Sequence, residues 1–232
     1  MNNQYAAPFI YEEVHSKSLH FTIDQLQSKM KKNRPNTLEV DYTKTMMGFL
    51  LLNRRPRHIV MIGLGGGSLA KFCYMHLPKS KITVVEINPH VIALRKEFMI
   101  PDDDSRFEVV LADGADFIRE SEACIDVLLV DGFDHRGQPP QLSSKRFYSD
   151  CRTALTHQGV VVINFHENHP LYEAFLDRVD VAFESNIVEI AANDTGNVIV
   201  FAAKGVEIAP AAFRSKMDDF YSELRQWNMC NA

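Results

Sequence analysis

Apolar residues fall in two rhythms along the chain. From Ile59 onward, short near-continuous apolar runs recur: "HIVMI" (58–62), "KITVVE" (81–86), "RFEVVLA" (106–112), "IDVLLVD" (125–131) and "GVVVINF" (159–165). Runs of this length and β-branched content predict strands buried on both faces of a parallel sheet. The segments between them have helical length and period. The expected architecture is therefore α/β, a doubly wound and mostly parallel sheet with right-handed crossovers.

Turn and cap residues refine that outline. Asn88 followed by Pro89 supplies an N-cap and a first-turn proline for a helix through "VIALRKEF", and Asp113 can cap "ADFIRE". After the fifth strand, "PLYEAFLDRVDVAF" reads as a helix. The runs "SNIVEIAA" and "NVIVFAA", separated by "NDTG", then predict a closing antiparallel strand pair. A C-terminal helix over "APAAFRSKMDDFYSELRQW" ends the chain.

The first 57 residues keep a different rhythm. "PFIYEEVHSKSLHFTID" carries two short β-like runs around "HSKS", "QLQSKMKKNRPNTLEVD" is polar, and "YTKTMMGFLLLN" suits a helix. Residues 1–36 are expected to form a small β-rich segment, with residues 37–232 as the main domain. So short a segment cannot hold a core alone and must pack on the main domain or on a partner chain.

Composition narrows the function classes. With 232 residues and 46% hydrophobic content, the chain suits a globular protein with one sizeable core. Its net charge of -5, with lysines scattered apart from "KMKKNR", argues against nucleic-acid binding. No apolar run approaches the roughly eighteen residues of a membrane span, so no membrane partner is expected. Cys73, Cys124, Cys151 and Cys230 form no CxxC pair, and "MNNQYAAPFIYEEV" lacks the pattern of a secretory signal. Reduced thiols in a cytoplasm are the expectation.

Candidate chemistry gathers at four strand ends, where open parallel sheets bind ligands. The first is the turn Gly63, Leu64, Gly65, Gly66, Gly67, Ser68, whose glycines allow close backbone approach to a nucleotide or serve only to pack helix on strand. At the second, Glu86 has the geometry to accept both hydroxyls of a ribose; otherwise it is a solvated acid. Asp113 and Gly114 form the third, where the acid either recognises an adenine amino group or caps its helix. Asp131 and Asp134 form the fourth, a carboxylate pair whose repulsion and desolvation call for a cationic companion. "HENH" at 166–169 offers two histidines and no third ligand, so no metal site is expected.

Taken as an ordered set, "IGLGGGSL", "VVEINPHV", "ADGADFI" and "VDGFDHRGQPPQLSSKRFY" resemble the spermidine synthases, polyamine aminopropyltransferases on a Rossmann-like, methyltransferase-type fold. The resemblance runs from about Leu19 to Lys204. It implies transfer of an aminopropyl group from decarboxylated S-adenosylmethionine, a co-substrate rather than a permanently bound cofactor, to a polyamine such as putrescine, releasing methylthioadenosine. Carried over, Glu86 would hold the ribose hydroxyls, Asp113 the adenine amino group, and the glycine loop and Gln27 the nucleoside. Asp131 would be base or orienter for the attacking amine, with Asp134 and Tyr42 beside it. The family's usual assembly implies a homodimer.

The sequence also departs from the family pattern. Ser68 stands where the family carries an aspartate, and Asp131-Gly132-Phe133-Asp134-His135 stands where it carries Asp-Ser-Ser-Asp-Pro. Loss of an acid at Ser68 keeps open a methyltransferase using intact S-adenosylmethionine. Decay of the amine site keeps open a non-catalytic nucleoside-binding protein. Retention of the aspartate pair, Asp131 and Asp134, favours aminopropyl transfer, and retention of Asp131 and Tyr42 speaks against the non-catalytic reading.

Overall fold

The computed structural model describes residues 5–22, 25–133, 137–192 and 196–229. The expected parallel strands form as β4 (His58–Ile62), β5 (Lys81–Glu86), β6 (Phe107–Leu111), β7 (Ile125–Val130) and β8 (Leu155–His166). Two further strands, β9 (Ile187–Ala191) and β10 (Asn197–Ala203), complete a seven-stranded sheet in the order β6-β5-β4-β7-β8-β10-β9. β4 to β8 pair in parallel, whereas β10 runs antiparallel to both β8 and β9. The predicted closing hairpin is thus present, and its second strand is inserted between β8 and β9. Asn193, Asp194 and Thr195 of the proposed turn lie outside the described residues.

Alternate residues of each buried strand enter two different cores, which is why the runs are apolar throughout. Ile59, Met61, Val84, Val127 and Leu129 face one core, with α2 (Ser68–His76) and α7 (Pro210–Met229). Val60, Ile62, Val85, Leu128 and Val130 face the other, with α4 (Gly114–Glu120), α5 (Lys145–Ala154) and α6 (Tyr172–Ala182). The helix expected over "YTKTMMGFLLLN" forms as α1 (Asp41–Met46) running into a 3-10 turn over Met47–Leu51. In α7, Phe213, Met217, Phe220 and Leu224 repeat at helical spacing and are buried.

Two local expectations are corrected. The helix through "VIALRKEF" is regular only over α3 (Pro89–Ile92). Beyond it, hydrogen bonds from Leu94 to Val91 and from Arg95 to Ile92 alternate with longer ones, so the backbone continues as mixed turns. In the N-terminal segment, β1 (Phe9–Glu12) and β2 (Ser16–Thr22) turn at Glu13–His15 rather than around "HSKS". The polar stretch after them supplies a third strand, β3 (Gln25–Lys31).

The three strands form an antiparallel sheet that docks by its buried face. Leu19 and Met30, each 1% exposed, join the core that holds α2 and the 3-10 turn. Lys71 of α2 is buried beneath them, and its ammonium donates to the Phe98 carbonyl at 2.7 Å and lies 3.2 Å from the Met30 sulfur. No helix among the described residues is long and apolar enough to cross a membrane.

Candidate functional site

A cavity of about 720 Å³ opens at the carboxyl ends of the parallel strands, where strand order reverses between β4 and β7. This reversal point is where open α/β sheets bind ligands. The strand-end loops form its floor, and Leu19, Phe21, Leu26 and Gln27 of the small sheet form one wall. Asn88 donates a hydrogen bond to the Ala6 carbonyl at 2.8 Å, which holds the N-terminal segment against the rim.

The glycine turn is built around Gly63. Its φ of +95° and a virtual Cβ only 2.3 Å from the Asp131 carbonyl oxygen leave room for no side chain, so the ends of β4 and β7 touch there. Gly63 and Gly65 line the cavity. The remainder of the turn faces elsewhere: Gly66 packs on Ser28 and Phe98, Gly67 packs on Ile100, and the Ser68 hydroxyl lies 3.2 Å from that of Ser28. Gly66, Gly67 and Ser68, expected at the nucleoside, are not among the residues that line the cavity and lie against β3 and the segment after α3.

Glu86 ends β5 and is 8% exposed. Its two carboxylate oxygens accept N–H bonds from Leu64 and Asn88, each at 2.8 Å. Burial pushes the Glu86 carboxyl above its ordinary value, and these amides offset part of that. Each oxygen keeps a second lone pair for a hydroxyl in the cavity. Asp113 caps α4, accepting from Ala115 at 2.7 Å and Asp116 at 3.4 Å, and with Gly114 it also lines the cavity.

Asp131 follows β7 at the centre of the floor. One carboxylate oxygen accepts from the Tyr42 hydroxyl of α1 at 3.2 Å, and the other accepts from the Asn164 amide of β8 at 2.8 Å. Burial pushes Asp131 above the usual carboxylate range, opposed by these two donors. Burial and the nearby Asp131 charge push the Tyr42 phenol well above its ordinary value, so it stays a donor. Asp134 lies outside the described residues.

Asn164, Asn197, Gln141 and His166 also line the cavity and were not singled out from the sequence as binding residues. Asn164 carried a signal, a lone amide inside the apolar run "GVVVINF". Burial, then the charge of His169, holds His166 below the ordinary histidine value, and its ring meets Phe133 edge-on with centroids 5.0 Å apart. Among the described lining residues, Glu86, Asp113 and Asp131 are acidic and none is Lys or Arg. Such a cavity favours a cationic ligand and repels an anionic one.

Comparison with known proteins bears on the family and the fold. Residues 39–196 match the spermine/spermidine synthase domain. A polyamine aminopropyltransferase of Chromobacterium violaceum is 41% identical over 96% of this chain and 91% of its own length. One from Neisseria meningitidis serogroup B is 40% identical over 83% of this chain and 74% of its own length. The fold matches that of a probable spermidine synthase from Corynebacterium glutamicum with a TM-score of 0.80 at 18% identity, covering 97% of this chain and 91% of that one.

Proposed function

Because the chain belongs to the spermine/spermidine synthase family, we propose that it transfers the aminopropyl group of decarboxylated S-adenosylmethionine to a polyamine such as putrescine. The observation that carries this reading is Asp131, a buried acid held by Tyr42 and Asn164 at the floor of a cavity without a lining Lys or Arg among the described residues. Both reactants are cations, a sulfonium and an ammonium.

The roles are those the family resemblance implies, and the position of these residues around one cavity supports them. Glu86 takes the ribose hydroxyls, Asp113 the adenine amino group, and Gly63, Gly65, Gly114 and Gln27 surround the nucleoside. Asp131 receives the proton from the attacking amine, with Tyr42 keeping the carboxylate in place and Asp134, three residues on in the sequence, proposed to assist. The amine lone pair attacks the carbon next to sulfur, the carbon–sulfur bond breaks, and its electron pair leaves on sulfur as the neutral thioether methylthioadenosine. Deprotonating an amine with a pKa of about 10 costs about 4 kcal/mol at pH 7, so a carboxylate at the point of attack matters. Alignment of the two reactants supplies a further part of the rate.

The enzyme is read as a cytoplasmic homodimer with no permanent cofactor. The free thiols of Cys73, Cys124 and Cys151 support a reducing compartment. Partly exposed Phe9, Tyr11 and Leu26 on the small sheet support a covered surface there. Calorimetry with decarboxylated and intact S-adenosylmethionine, joined to an assay of methylthioadenosine release with putrescine, tests the reading. Tighter binding of the decarboxylated form with amine-dependent release is expected. Tighter binding of the intact form with methyl transfer overturns it.

A further inference from the structure

Two asparagines interrupt the sheet where apolar neighbours surround them. Asn164 lies in β8 between Ile163 and Phe165 and is 3% exposed; Asn197 opens β10 and is 5% exposed. Asn197 is in register with His166, so Asn164 is its diagonal neighbour on the same face. The Asn197 amide donates to the Asn164 carbonyl oxygen at 2.8 Å, and the Asn164 amide donates onward to Asp131 at 2.8 Å.

The order of donors in this chain is not free to reverse. A side-chain amide has one accepting end and one donating end. With Asn197 donating to the oxygen of Asn164, the nitrogen of Asn164 must face Asp131. Were Asn164 flipped, its oxygen would meet a carboxylate and its nitrogen would meet the Asn197 nitrogen, two unfavourable contacts in a buried place. Burial of two amides costs free energy that valines on the same strands would avoid. Here both amides line the cavity and the chain ends on its central acid.

We propose that Asn197 is a positioning residue that acts through Asn164 to hold Asp131 ionised and aimed at the amine, an inference that rests on the reading of Asp131 as the proton acceptor. Asn164 gives one oxygen of Asp131 its donor and Tyr42 gives the other, leaving a second lone pair on each for the substrate. The other titratable groups among the described lining residues are Tyr5, Glu86 of β5, Asp113 at the start of α4 and His166 of β8.

The test is a double-mutant cycle over Asn197→Leu and Asn164→Ala, read in two ways. Carboxyl carbon NMR follows the titration of Asp131 in the unliganded protein, and kcat/KM for the amine is measured against pH. Asn197→Leu is expected to raise the Asp131 midpoint by about half a pH unit and to lower kcat roughly tenfold, with KM for the nucleoside little changed. In the Asn164→Ala background the second substitution is expected to change neither quantity. Additive losses, or an Asp131 titration that Asn197→Leu does not move, overturn the inference. Asn197→Ser, whose hydroxyl falls short of Asn164, replaces the leucine variant if that one does not fold. Should the wild type turn over no amine, the functional reading fails, and the unliganded titration still decides the relay.

Discussion

Replacing Asp131 by Asn separates catalysis from folding in a way the geometry makes quantitative. Asn164 donates to one oxygen of Asp131, so an amide at this position places its own carbonyl there and turns its NH₂ toward Tyr42. The Tyr42 hydroxyl can rotate to accept, and the local packing is kept. Burial raises the pKa of Asp131, so the folded protein binds more protons than the unfolded chain between the ordinary carboxylate value and the raised one. Stability from this group is therefore present at low pH and lost as pH rises through that window. At pH 7 the variant is expected to be at least as stable as the wild type. Its activity is another matter. Loss of a positioned base typically removes 10²–10⁴ in rate, and the amine's deprotonation cost of about 4 kcal/mol argues for a drop near 10³. The assay pairs methylthioadenosine release, followed as kcat/KM from pH 5 to 9, with urea unfolding of both proteins. A loss below tenfold, or a loss of activity matched by a loss of stability at pH 7, refutes the reasoning.

Three other outcomes follow from the same structure. Burial lowers the pKa of Lys71 from 10.5 to about 8, so between those values the unfolded chain binds more protons and stability rises with pH. Unfolding of wild type and Lys71→Met compared at pH 7 and pH 10 is expected to show their stability difference move by about 2.5 kcal/mol in favour of the wild type, and parallel profiles would contradict the assignment. Glu86→Gln is expected to weaken methylthioadenosine binding by about 2 kcal/mol, roughly thirtyfold by calorimetry, through loss of charge-assisted bonds; an unchanged affinity would remove Glu86 from the ribose site. Gly63→Ala forces a Cβ against the Asp131 carbonyl at φ +95° and is expected to cost about 3 kcal/mol in denaturant unfolding.

The parallel strands were legible because each is apolar on both faces, as Val60 and Met61 show by entering opposite cores. That Glu86, Asp113 and Asp131 share one cavity was legible because successive parallel strands end on the same side of the sheet. β3 was not. It lies on a two-faced docking sheet, and its buried positions are Ser28 and Met30, so a serine conceals the alternation. That same Ser28 meets the Ser68 hydroxyl across from β3, a contact between residues forty apart that no local pattern announces. Asn164 and Asn197 become neighbours only when β10 inserts beside β8, a pairing no local pattern encodes. The short α3 followed from hydrogen bonds that alternate between two spacings, which cap residues at its start do not reveal.

The small sheet contributes Leu19 and Met30 to the main core and Leu19, Phe21, Leu26 and Gln27 to the cavity wall. Under the proposed function, a nucleoside between that wall and Glu86 would touch both bodies at once and oppose their separation. By linkage, ligand free energy would then also be adhesion energy for the small sheet. Ligand binding is then expected to raise the free energy needed to detach the small sheet. Substitutions on β2 or β3 that loosen the docking of the sheet are then expected to weaken the affinity for a molecule they never contact.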